Sequence, residues 1–199
     1  HTKLRIYTVM GDYDKALETA DGLIGDISSS NVILDKSKMA LLGQRSDIRR
    51  LKGDLQGAMA DLELSCAFNE DNFDRIKKAE LLYKMGKQKD GELILNKLLE
   101  DKEFASGKSA KYAYALLGQK DKVRSLCETE NAEDSRDLFN IACAYGMMGE
   151  YSSGLPYIRK ALEKHPNYVD TILADVDMEE YKKLPEFWNL INEFRPKKR

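Results

Sequence analysis

A glycine followed in most cases by a polar residue returns at Gly11-Asp12, Gly53-Asp54, Gly86-Lys87, Gly118-Gln119 and Gly149-Glu150, at intervals of 42, 33, 32 and 31 residues. Helical i, i+3, i+4, i+7 spacing follows several of these glycines, as in Ala16-Leu17-Ala20-Leu23-Ile24, Leu55-Ala58-Met59-Leu62 and Leu155-Ile158-Ala161-Leu162. A unit of this length holds one short turn and two helices, and neither helix can bury its apolar face within the unit alone. Such units stack. Glycine suits the turn because a left-handed backbone at a helix C-terminus costs least without a Cβ. The acids Asp12, Asp54 and Glu150 then favour the positive dipole end of the helix that follows.

Composition agrees with a helical chain. With 199 residues there is room for five or six units, and 4 prolines with 33% charged residues suit long surface helices. Strand signals are scarce, so the fold class is all-α.

The copy around Gly149 is the fullest, with Leu138, Ile141, Ala142 and Tyr145 before the turn and Gly154, Ile158, Ala161 and Pro166 after it. These residues resemble the tetratricopeptide repeat, whose pattern places Trp, Leu, Gly and Tyr on the first helix, Ala and Phe on the second and Pro at the end. Leu138, Ile141, Ala142 and Gly154 depart from it by apolar or small exchanges. The copies at Gly53 and Gly11 keep the turn and the second helix. Those at Gly86 and Gly118 keep little beyond glycine, helical spacing and apolar faces such as Leu95, Leu98, Val123, Leu126 and Cys127. The resemblance covers most of residues 1–168. It implies one domain over 1–199, a right-handed α-solenoid of about five helical hairpins with a C-terminal cap over 168–199.

Local features refine that expectation. Gly154 lies where the second helix should cross the first, and Pro156 is placed in the first turn of its helix, where a missing N–H is harmless. The long first interval reads as a loop inserted over residues 25–31, with an N-cap for Val32-Ile33-Leu34. Beyond Pro166, a short helix at Tyr168 to Leu173, an Asp175-Val176-Asp177 turn and a last helix opening at Leu184-Pro185 resemble the ending of bacterial tetratricopeptide arrays. Trp188 is expected to pack there, and deleting this cap should expose apolar surface. Residue 1 is His with about half a first helix before Gly11, so further sequence is expected upstream.

Catalytic and metal chemistry find no foothold, and neither a cofactor nor an enzymatic activity is expected. Cys66, Cys127 and Cys143 are an odd count without a CxxC pair and read as buried packing residues. His165, in a last helical turn, reads as a C-terminal cap. Asp170, Asp175, Asp177, Glu179 and Glu180 lack the spacing of a calcium loop and read as caps and solvated faces. A net charge of −2 argues against nucleic acid, and no apolar run of membrane length occurs. Arg195, Lys197, Lys198 and Arg199 read as a basic tail. A cytoplasmic location is expected.

Function follows from the resemblance: a non-enzymatic interaction module holding a peptide or protein segment in a concave groove lined by the first helices. Counting back from each glycine, the family's groove positions are Gln44, Asp47 and Arg50; Lys77, Glu80, Tyr83 and Lys84; Lys108 and Tyr112; and Arg136, Phe139 and Asn140. Only Lys108 and Asn140 match the family's carboxylate clamp, which argues against chaperone tails. Arg50, Lys77, Lys84, Lys108 and Arg136 against Asp47 and Glu80 leave an excess of three positive charges, so an acidic or C-terminal segment is the expected partner, with Tyr83, Tyr112 and Phe139 supplying apolar contact. The alternative is a regulatory or structural arm of a larger polypeptide such as a kinase, cyclase or transporter component.

Overall fold

A computed structural model describes residues 2–29, 36–66 and 70–195. Among them the regular elements are helical. Each glycine turn joins a first helix, A, to a second, B. The A/B pairs are α1 (Thr2–Val9) and α2 (Tyr13–Ser29), α3 (Lys36–Lys52) and α4 (Leu55–Ser65), and α5 (Asn72–Lys84) and α6 (Gln88–Leu99). Then come α7 (Lys102–Ser106) and α8 (Ala110–Leu116), an A helix interrupted near Gly107, with α9 (Lys120–Thr129) as B. The last full pair is α10 (Ser135–Met147) and α11 (Tyr151–Lys164), followed by α12 (Val169–Ala174) and α13 (Pro185–Phe194). The chain divides into two compact units, His1–Leu98 and Leu99–Arg199.

One turn is built five times. Gly11, Gly53, Gly86, Gly118 and Gly149 have φ of 71°, 83°, 75°, 70° and 73°. In each, the glycine N–H donates to the carbonyl three residues back and the next N–H to the carbonyl five back, as in Gly149 to Gly146 (2.9 Å) and Glu150 to Tyr145 (2.9 Å). This is the Schellman arrangement, which satisfies the last carbonyls of helix A. The residue after glycine then diverges. Asp54 caps its helix by accepting from the Gly57 N–H, whereas Glu150 makes no cap and pairs with Arg124 (2.6 Å) and Lys120 (3.2 Å).

The turn also sets the packing register. Seven residues before and five after each glycine stand Leu4 and Ala16, Ser46 and Ala58, Ala79 and Gly91, Lys111 and Val123, and Ala142 and Gly154, and all ten are buried. Small residues dominate the second set because two helices meet there; the Ser46 hydroxyl, for instance, donates to the Ala58 carbonyl at 2.7 Å. In the first unit Leu4, Ala16, Ala20, Leu41 and Ile48 form one cluster and Ala58, Leu62, Cys66 and Leu81 another.

Two local expectations are corrected. The loop placed over 25–31 is helical through Ser29, because α2 continues two turns past the point where Gly25 and Asp26 suggested an end; its remainder, with Val32 to Leu34, lies outside the described residues. Pro156 sits in the second turn of α11, which begins at Tyr151, so its missing N–H leaves the Ser152 carbonyl without its helical donor.

In the second unit the C-terminal segment follows the same count. A further turn would fall near Lys183, and α13 opens at Pro185 with proline in its first turn. Its A helix, however, breaks after α12, at Asp175, whose side chain accepts from the Asp177 N–H (2.8 Å). Two 3-10 turns, Val176–Met178 and Tyr181–Lys183, replace the rest. Met178, Tyr181, Phe187 and Ile191 are fully buried. Trp188 is only half-covered, edge-on to Phe187, with its indole N–H on the Lys182 carbonyl (2.6 Å).

Candidate functional site

In the first unit the A helices α3 and α5 are tied by ion pairs between residues thirty apart. Lys77 Nζ reaches both oxygens of Asp47 (3.0 and 3.1 Å), and Arg50 Nη1 donates to Glu80 Oε1 (2.7 Å). Lys84 stands more loosely, 3.7 Å from Glu80 with its side chain 45% exposed. These side chains and the exposed Gln44 lie on one A-helix face. Tyr83 is partly withdrawn from it: its ring lies where a Cβ on Gly91 would come within 2.6 Å, and burial raises its phenol pKa.

In the second unit the corresponding face of α8 and α10 is covered. Phe139 is 4% exposed and meets Tyr168 edge-on at 5.8 Å. Tyr112, 9% exposed, donates to the Asn140 carbonyl (3.2 Å), and burial pushes its phenol pKa up, with the Cys143, Asp177, Glu130 and Asp175 charges adding to the shift. Tyr181 fills a slot at Gly146 and Gly154: a Cβ on Gly154 would stand 1.8 Å from the Tyr181 hydroxyl oxygen, which donates to the Ala142 carbonyl at 2.8 Å. Helix crossing alone does not therefore explain Gly154; a side chain from the C-terminal segment occupies the space. Tyr112 and Phe139, expected to meet a ligand, are core residues because the broken helix after α12 folds over them. Lys108 and Arg136 stay at the exposed rim, and Asn140 is half-buried.

The expected charge excess shrinks once neighbours are counted. Lys108 pairs with Asp137 (2.6 Å), and Arg136 lies 3.8 Å from Asp134. Neither acid entered the count from the sequence. The second unit's rim is thereby balanced, two cations against two acids. On the first unit's face Arg50, Lys77 and Lys84 oppose Asp47 and Glu80, leaving one net positive charge.

Sequence reading missed Phe73, 43% exposed at the start of α5 with the Lys77 ammonium 5.5 Å from its ring centroid. The same count from Gly86 that yields Lys77 reaches it. Two buried ionic clusters were also unforeseen. Asp61, 1% exposed, accepts from Arg45 (2.6 and 2.8 Å) and pairs with Arg49 (2.9 Å). Lys111, also 1% exposed, pairs with Glu130 at 2.6 Å. A concavity of about 560 Å³ between the end of α9, α10 and α11 has Leu138, Ile141 and Tyr157 in its wall, with Glu and Lys residues of both signs around them.

The remaining polar residues serve packing and caps. All three cysteines are buried, and desolvation raises their thiol pKa values, Cys127 to about 11, which leaves little thiolate at neutral pH. At His165 the cap bond comes from the backbone N–H, to the Ala161 carbonyl. Glu179 and Glu180 pair with Lys182 and Lys183. Among the described residues no helix is long and apolar enough to cross a membrane.

No protein-family model matches the chain, and no curated protein matches it. Among solved structures, the C-terminal part of a TPR repeat-containing protein from Cytophaga hutchinsonii is similar over 96% of this chain and 77% of that one, with 14% identity and a TM-score of 0.38.

Proposed function

We propose that this chain is a non-enzymatic protein-interaction module that holds a peptide or protein segment against the A-helix face of its stacked hairpins. The observation that carries this reading is the pairing of Asp47 with Lys77 and of Arg50 with Glu80, which sets α3 and α5 side by side and turns two helices into one continuous polar face. Charge near such a face speeds encounter with an oppositely charged segment. Reversing Lys84→Glu and Lys108→Glu together should slow association of a co-purified partner, and added salt should weaken the wild type in the same sense. Binding unaffected by both would place the partner elsewhere, on the B helices.

A second reading, a structural arm packed against another helical element, is favoured by α1. Five residues before each turn glycine stand Ile6, Ile48, Leu81, Ala113 and Ala144; the last four are at most 2% exposed, but Ile6 is 49% exposed. Met10, one turn on, is 70% exposed. Replacing Ile6 and Met10 with Lys should leave the melting temperature of the isolated chain unchanged and abolish that packing.

A further inference from the structure

Resting on the interaction reading, we infer that the partner surface is confined to α3 and α5 of the first unit, and that it takes an extended acidic segment carrying an aromatic side chain. Two independent observations lead there. The second unit's A-helix face is already filled by its own chain: residues 175–181 lie over α10, bury Tyr112 and Cys143, and lodge Tyr181 against Gly146 and Gly154. A segment from elsewhere would have to displace Met178 and Tyr181, both fully buried. The first unit's face carries the surplus positive charge, from Arg50, Lys77 and Lys84 against Asp47 and Glu80.

The chemistry of the occupant follows from what this face offers. Phe73 is an exposed ring beside a lysine, and nothing lies within 4 Å of where a Cβ on Gly43 would point, so a flat side chain has room between the two helices. Ring-on-ring contact rewards an aromatic residue there. Lys84, more exposed than Arg50 or Lys77, rewards a carboxylate, while a basic segment would meet three cations. The covered face of the second unit shows the same composition at work, since its occupant combines Asp175, Asp177, Met178 and Tyr181.

The probe is therefore a capped synthetic peptide with the sequence of residues 173–183, Leu-Ala-Asp-Val-Asp-Met-Glu-Glu-Tyr-Lys-Lys, titrated into the full chain by fluorescence anisotropy. Saturable binding is expected, weakened at least about tenfold by Phe73→Ala or Lys84→Glu and unchanged by Lys108→Glu or Arg136→Glu; all four side chains are exposed, and circular dichroism confirms that each variant folds. A scrambled peptide in which the tyrosine is replaced by serine should bind at least about tenfold more weakly. Failure of the peptide to bind overturns the inference. Weakening by the second-unit changes alone also overturns it while leaving the interaction reading intact, and binding indifferent to all four changes removes both.

Discussion

At the scale of single residues, backbone conformation decides more than contact does. A Cβ on Gly149 would meet nothing within 4 Å, yet its φ of 73° lies in the left-handed region. Gly149→Ala should cost about 1–2 kcal/mol, lowering the melting temperature by a few degrees, and Gly149→Asn should cost less because Asn tolerates that region. Gly154 is the converse case, a helical glycine whose space is taken. Gly154→Ala should destabilise far more than Gly43→Ala, where space is open, and Tyr181→Phe should recover part of the loss by removing the hydroxyl that stands 1.8 Å from the new methyl. Thermal denaturation of the four variants checks the order. The buried pair Lys111–Glu130 makes a third test: Glu130→Leu alone strands an ammonium and should cost about 3–5 kcal/mol, whereas adding Lys111→Met should return most of it.

Elements differ in how far local sequence determines them. The five turns were legible because glycine, helical spacing and chain direction all agree there, and the C-terminal helix was legible from Leu184-Pro185. Gly25 and Asp26 misled because propensity is a weak prior, and α2 overrides it with Leu23, Ile24 and Ile27 packed on the first unit's core. The site was half-legible. Counting back from glycine found Gln44, Asp47, Arg50, Lys77 and Lys84 on one face, but no count within a hairpin could show that a broken helix after α12 returns over Tyr112 and Phe139. Nor could it show Asp134 and Asp137 beside the rim cations, since those pairs depend on the loop before α10. Pro156 gives an element-scale prediction. With one helical bond forfeited in α11, and the residue exposed, Pro156→Ala should raise the melting temperature.

For the whole molecule, the C-terminal segment should be indispensable: deleting residues 176–199 removes Met178, Tyr181, Phe187 and Ile191 from apolar surface, and light scattering should show association of the truncated chain. Acid should act through several carboxylates at once. Asp12 beside Lys15, Glu70 beside Lys78, Asp134 on the Asp137 N–H, Glu150 beside Arg124 and Glu193 beside Arg159 are all held below ordinary values. Each takes up its proton later in the folded chain than in the unfolded one, so its contribution is present above about pH 4–4.5 and is lost as pH falls through the lower folded value. The melting temperature should be flat from pH 7 to 5 and drop below about pH 4.

The central claim, that the A-helix face of α3 and α5 is where this chain meets its partner, is tested most directly by mapping backbone amide chemical shifts on titration with a segment selected from a random peptide library. The account predicts that the largest changes gather at Gln44, Asp47, Phe73, Lys77 and Lys84. Changes centred instead on α4 and α6, or on Ile6 and Met10 of α1, would contradict it.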